Sequence, residues 1–153
     1  MSARVGIGYD SHPFAEGERL VLGGVEIEHE RGLRGHSDAD ALAHAVIDAV
    51  LGAAGLGDIG THFPPSDERW RDADSIELLR TACAMVSGRV VNVDATIVCE
   101  APRLAEHRAE MERNLGDATG APVSVKATTN EGMGWMGRGE GIACLAVALV
   151  EAD

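Results

Sequence analysis

The sequence predicts an α/β sandwich, with a mixed four-stranded sheet, helices on one face and a small hairpin beside them. Three observations carry this. Short runs with β-branched residues at period two interleave with longer runs at helical period. Stretches rich in glycine, proline and aspartate separate them. Aromatics make up only 3% of a chain that is 45% hydrophobic, so the core must be built from Val, Ile, Leu and Ala. The length of 153 residues favours one domain, spanning 1–153.

The elements follow in order. Residues 3–9 read as a first strand, and 19–27, with Gly23-Gly24 in the middle, as a hairpin. Ser37 followed by Asp40 has the spacing of a capping box, so an Ala-rich helix should run from about Asp38 to Ala54 and stop at Gly55 or Gly57. "GDIGTHFPPSDERW" reads as a long loop. Asp74 and Glu77 open a second helix reaching about Val86, and "RVVNVDATIVCE" alternates as a strand until Ala101-Pro102 breaks it. A polar third helix covers "RLAEHRAEMERNLGDATG". The strand "APVSVKATT", the loop "NEGMGWMGRGEG" and a buried strand "IACLAVALV" complete the chain. The order β-ββ-α-α-β-α-β-β suits a mixed sheet covered by helices.

Composition excludes some function classes. A net charge of −12 argues against nucleic-acid binding through a basic surface. No apolar run is long enough for a membrane span, and the start lacks the pattern of a signal peptide, so a cytoplasmic protein is expected. Cys83, Cys99 and Cys144 form no CxxC pair and read as small buried hydrophobes in a reducing compartment. Lys126 is the only lysine. An anionic substrate would therefore need positive charge from bound metals or backbone N–H groups.

Three features carry chemistry. In "GYDSHPF", Asp10 and His12 lie at i and i+2 of an extended chain and share a face, while Ser11 points away. With His44 from the first helix they would form an N/O set with an open fourth position, which suits catalytic Zn²⁺. Asp40 and Asp48 lie one turn either side of His44 and could orient its ring as outer partners. In "GHSDAD", His36 and Ser37 sit at the mouth of that helix, where free N–H groups attract anions. In "KATTNEGMGWMGRGEG", glycines allow close backbone approach, hydroxyls suit phosphate oxygens, and Glu131 can hold Mg²⁺ or Mn²⁺.

Together, "GIGYDSHPF", "GHSDADALAHAVIDAVLGAAGLGDIGTHFPPSD" and "VKATTNEGMGWMGRGEGIA" resemble the 2-C-methyl-D-erythritol 2,4-cyclodiphosphate synthases, in order and over nearly the whole chain. The resemblance implies conversion of 4-diphosphocytidyl-2-C-methyl-D-erythritol 2-phosphate into the cyclic diphosphate and CMP, a phosphorus–oxygen lyase reaction of the non-mevalonate isoprenoid route. It implies a homotrimer with active sites between subunits. One Zn²⁺ per subunit would be held by Asp10, His12 and His44. Mg²⁺ or Mn²⁺ would be held by Glu131 with the diphosphate. His36 and Thr129 match the positions linked to transition-state stabilisation.

The remaining site residues follow from the same resemblance. Ser37, Asp58, Ile59, Gly60 and the loop from Phe63 to Asp67 match the part that contacts the erythritol and its phosphate. The stretch "CEAPRLA", Cys99 to Ala105, with Ala101, Pro102, Arg103, Leu104 and Ala105 as contacts, matches a neighbour's cytidine pocket, which also draws on Lys126 to Thr129, Thr128 among them. Asn130, Trp135 and Arg138 join the implied substrate contacts. Tyr9, Gly134 and Arg138 match the lining of an axial cavity that carries an isoprenoid diphosphate in family members. Asn130, Trp135, Met136 and Tyr9 stand where Thr, Phe, Thr and Phe are common, and Trp135 and Tyr9 change that lining. Two other readings of the residues stand beside this one: a metal-dependent phosphohydrolase, and a non-catalytic module with a structural metal. The first lacks a dense Asp/His cluster, and the second would want four protein ligands.

Overall fold

The fold is given by a computed structural model that describes residues 1–153. A first strand, β1 (Ser2–Ala15), runs into a two-stranded hairpin, β2 (Leu20–Leu22) and β3 (Val25–Ile27), and a short β4 (Gly32–Leu33). Then come α1 (Ala41–Ala54), a single turn α2 (Ile59–His62), and α3 (Ser75–Ala84). The second half contains β5 (Gly88–Val98), α4 (Arg108–Thr119), β6 (Val123–Thr128), a single turn α5 (Gly134–Gly137) and β7 (Gly141–Ala152).

The main sheet has the order β4-β1-β7-β5-β6. Its four long strands are those expected, and β5 and β6 run parallel, joined by α4, while the other pairs are antiparallel. The count of four needs correction to five. β1 does not stop at residue 9: it continues through Pro13, and Phe14 and Ala15 pair with Leu33 and Gly32 of β4. Proline marks a strand end only when its missing N–H is needed by a neighbour. Asp10 and His12 therefore lie inside a strand rather than beyond it.

The first helix also starts later than the capping box suggested. Asp40, not Ser37, is the N-cap, accepting from Ala43 N–H at 2.9 Å. Its carboxylate also takes the N–H groups of Gly23 (2.9 Å) and Gly24 (2.8 Å). One buried side chain thus caps α1 and holds the hairpin turn. The second helix begins as read, with Asp74 accepting from Ile76 N–H at 2.9 Å. The third opens with a 3₁₀ turn, Ala105–His107, before α4 proper.

α1 is apolar on nearly every side and is the centre of the core, with β1 and β7 below it and α3 above. A single cluster of 37 buried residues runs through all the layers, so there is one core. Helix and sheet meet at backbone distance. A Cβ on Gly6 would overlap the Ala49 carbonyl, and one on Gly8 the Ala45 carbonyl. Only glycine lets α1 lie this low. The opposite sheet face stays uncovered, and Val5, Ile7, Tyr9 and Val147 are exposed on it. Cys99 and Cys144 are buried and Cys83 half-buried, all as free thiols. Burial pushes the Cys83 and Cys99 thiols up to about 11. No helix is long and apolar enough to cross a membrane.

Candidate active site

The glycine contacts set the position of the site. Gly6 and Gly8 face α1, and period two puts Asp10 and His12 on the same face. Gly6 meets Ala49 and Gly8 meets Ala45, so strand and helix run in opposite directions. The next step along β1 brings Asp10 to the first turn of α1, which carries His44.

Three donor atoms converge there. Asp10 Oδ2 is 2.7 Å from His12 Nε2 and 3.1 Å from His44 Nδ1. The two ring nitrogens are 3.4 Å apart. His12 Nδ1 donates to the Arg34 carbonyl at 3.1 Å, which leaves Nε2 to face the other two donors. Burial opposes ionisation of Asp10, but hydrogen bonds from both histidines, and their charge, hold its carboxyl down at about 2. Burial alone would lower His12, yet the hydrogen bond and charge of Asp10 raise it above its ordinary value. The carboxylate and the two rings thus stabilise one another's charged forms. The group Asp10, His12 and His44 is a candidate metal site by geometry, one oxygen and two nitrogens within 4.8 Å of one another.

Asp40 and Asp48 do not orient His44. Asp40 is occupied by the hairpin turn and its own cap. Asp48 accepts from Ile59 N–H at 2.8 Å and ties α1 to the following loop. Shared helical face was the signal for both, and it does not reveal what lies opposite. His44 Nε2 instead meets Ser75 Oγ at 2.7 Å and Ser37 Oγ at 3.1 Å, and Ser75 bonds Asp38. Ser75 was not singled out in the sequence. Its one signal was redundancy: Asp74 already caps α3, so the hydroxyl beside it was free for another partner.

A cavity of about 130 Å³ opens beside the triad. His36, Ser37, His44, Ile59, Gly60, Phe63 and Pro65 line it, joined by Trp70 and Leu78, which the sequence did not indicate. His36 Nε2 donates to the Asp67 carbonyl at 3.1 Å. The Asp67 carboxylate is held by Arg69, with contacts of 2.9 and 2.6 Å. Asp58 caps α2, its Oδ1 accepting from Thr61 N–H (2.9 Å) and hydroxyl (2.8 Å).

A second pocket, about 430 Å³, gathers residues Pro102 to Ala105 with Cys99, Glu100, Ala127, Thr128 and Thr129. It shares no lining residue with the first cavity. The Ala101 carbonyl accepts from the Cys99 thiol at 2.9 Å. Lys126, expected with this pocket, is not in its lining: its ammonium pairs with Asp94 at 2.7 and 2.9 Å across the parallel strands. Glu131 is exposed and has a left-handed backbone, φ +54°. The Glu100 carboxylate takes the N–H groups on either side of it, Asn130 (2.6 Å) and Gly132 (3.2 Å). Glu131 does not join the triad. Trp135 lines a third pocket with Ser11, His12, Pro13 and Glu140, and Arg138 pairs with Glu140 at 2.6 Å.

Fold and site together define an α+β sandwich protein with a candidate Asp-His-His metal centre beside a small, largely apolar cavity. Residues 3–151 match the YgbB family model, and the chain belongs to that family. A protein of Rubrobacter xylanophilus named 2-C-methyl-D-erythritol 2,4-cyclodiphosphate synthase is 62% identical, over 97% of this chain and 94% of its own length. The IspF of Plasmodium falciparum, solved as a CDP complex, is 31% identical with a TM-score of 0.84, covering 99% of this chain and 97% of that one. The bifunctional IspDF of Campylobacter jejuni superposes with a TM-score of 0.93 at 37% identity; this chain covers 43% of that protein.

Proposed function

We propose that this chain, as one domain, converts 4-diphosphocytidyl-2-C-methyl-D-erythritol 2-phosphate into 2-C-methyl-D-erythritol 2,4-cyclodiphosphate and CMP, in the non-mevalonate route to isoprenoids. The observation that carries the reading is the convergence of Asp10 Oδ2, His12 Nε2 and His44 Nδ1 at the edge of the His36 cavity. The reaction is a phosphorus–oxygen lyase step. An oxygen of the 2-phosphate bonds to the β-phosphorus, and the bond from that phosphorus to the oxygen bridging to CMP breaks. CMP leaves with the electron pair. The substrate supplies its own nucleophile, so the protein's contribution is positioning and charge stabilisation.

The donor set fits Zn²⁺, with three protein ligands and room for a fourth. Asp10, His12 and His44 would hold it, and Glu131 would hold Mg²⁺ or Mn²⁺ together with the diphosphate. Such ions, when bound, polarise phosphoryl oxygens and offset charge in an acidic protein with one lysine. His36, braced by the Asp67 carbonyl, and Thr129 stabilise the developing charge. Ser37 and the N–H groups beside it bind phosphate. Asp58 Oδ1 is spent on Thr61, which leaves Oδ2 for the erythritol hydroxyls. Ile59, Gly60 and Phe63 wall the carbon skeleton.

The cytidine is held by residues 101–105 with Thr128 and Thr129. That pocket and the His36 cavity have no residue in common, which supports a homotrimer whose subunits complete each other's sites. The uncovered apolar sheet face supplies the contact, and Tyr9, Gly134 and Arg138 would line an axial cavity for an isoprenoid diphosphate. The setting is cytoplasmic. Incubation of the protein with the cytidyl substrate and Mg²⁺, followed by ³¹P NMR, tests the reading. Equimolar CMP and cyclic diphosphate are expected, with His44→Ala inactive. Uncyclised product carrying ¹⁸O from labelled water would overturn it in favour of hydrolysis.

A further inference from the structure

We infer that Asp38 and Ser75 are positioning residues that fix the tautomer of His44, so that Nε2 carries the hydrogen and Nδ1 meets the triad as a lone pair. The inference rests on the reading of the triad as a metal site, and it follows from counting donors. Ser75 is fully buried at the first position of α3. Its backbone N–H donates to Asp38 Oδ2 at 3.0 Å, and its hydroxyl donates to Asp38 Oδ1. Asp38 is itself fixed: its N–H donates to the Ala73 carbonyl at 3.1 Å, and Oδ1 also accepts from Asp40 N–H at 3.1 Å.

A carboxylate only accepts. The single hydroxyl hydrogen of Ser75 is therefore committed to Asp38, and Ser75 Oγ turns its lone pairs to His44 Nε2, 2.7 Å away. That nitrogen must donate. The competing arrangement has Ser37, at 3.1 Å, donating to an unprotonated Nε2. It would set two lone pairs against each other across the shorter Ser75 contact. With Nε2–H assigned, Ser37 Oγ takes a second branch of the same donor. Imidazole then offers Nδ1 as a lone pair 3.1 Å from Asp10 Oδ2, where a shared cation would take the place of the hydrogen that His44 otherwise gives Asp10.

Asp38→Asn tests this with almost no change of shape. The amide oxygen can keep the Ser75 N–H while its NH₂, at the loss of the Asp40 N–H bond, donates to the Ser75 hydroxyl. That hydroxyl must donate to Nε2, and the ring hydrogen moves to Nδ1. Ser75→Ala removes the link without reversing it. Zn²⁺ affinity, measured by competition with a chromophoric chelator, is expected to fall about 10–100-fold in both variants, and further in Asp38→Asn than in Ser75→Ala. Long-range ¹H–¹⁵N spectra should show a protonated His44 Nε2 in the parent and an unprotonated one in Asp38→Asn. Folded variants that bind Zn²⁺ as tightly as the parent, or a parent with unprotonated Nε2, would overturn the inference. A parent that binds no Zn²⁺ would instead remove the metal reading, and the spectra would still decide the tautomer.

Discussion

His12 is gripped from both ends. Arg34's carbonyl takes its Nδ1–H, and Asp10 raises its affinity for a second proton against the effect of burial. A metal at Nε2 must displace that second proton. Below the raised pKa the proton is bound and competes, and above it the nitrogen is free. Asp10, held at about 2, stays a carboxylate throughout and adds nothing to the slope. Zn²⁺ affinity is therefore expected to weaken as the pH falls from 7 to 5, approaching about tenfold per unit once the pH lies below the raised value. Chelator competition at pH 5, 6 and 7 measures it, and a flat profile would mean that His12 is not a ligand. Asp10 and His12 were legible as a pair because a strand's period fixes their common side. Asp40 and Asp48 were misjudged for the converse reason. Helical spacing put them on the side of His44, but a hairpin turn and a loop reached them first. Ser75 and Asp38 arrive from a different helix and a different loop, and no local pattern connects them.

At the scale of elements, the long and strongly patterned pieces were legible and the short ones were not. α2 and α5 are four residues each, in stretches rich in glycine and proline. Asp58 fixes the first, and the Asn130 side-chain amide, donating to the Met133 carbonyl at 2.8 Å, braces the start of the second. The α1–β1 contact was not legible either, since glycine in a strand usually weakens it. Its importance can be measured. Gly8→Ala places a methyl group on a helix carbonyl that cannot retreat from the core, and should cost about 3 kcal/mol in urea unfolding. It should also weaken Zn²⁺ binding, because α1 carries His44. An unchanged midpoint would show that α1 has more room than the contact implies.

At the scale of the molecule, the strand order and the helix-covered face follow from the alternation of elements. The unpaired face of the sheet does not. Val5 and Ile7 are each 69% exposed and sit beside Tyr9, Leu145 and Val147. An exposed apolar surface of this kind is a candidate contact surface, and the proposed trimer would bury it. Ile7→Glu should leave the subunit folded, since the side chain touches no core residue's place. Analytical ultracentrifugation should then find monomer in place of trimer, with turnover lost alongside. A monomeric variant at full activity would mean that one subunit holds a complete site.

The contact between β1 and α1 has one more consequence. Two residues of strand advance about 6.7 Å, and four residues of helix advance about 6.0 Å. Glycine at 6 and 8 against alanine at 49 and 45 keeps the two in step like the teeth of a rack and pinion. The mismatch accumulates by about 0.7 Å per tooth, while the twist of the sheet turns the strand away from the helix axis. At the third step, residue 10, an aspartate stands in place of glycine and its carboxylate meets His44. The donor cluster of Asp10, His12 and His44 begins where the glycine–alanine register ends.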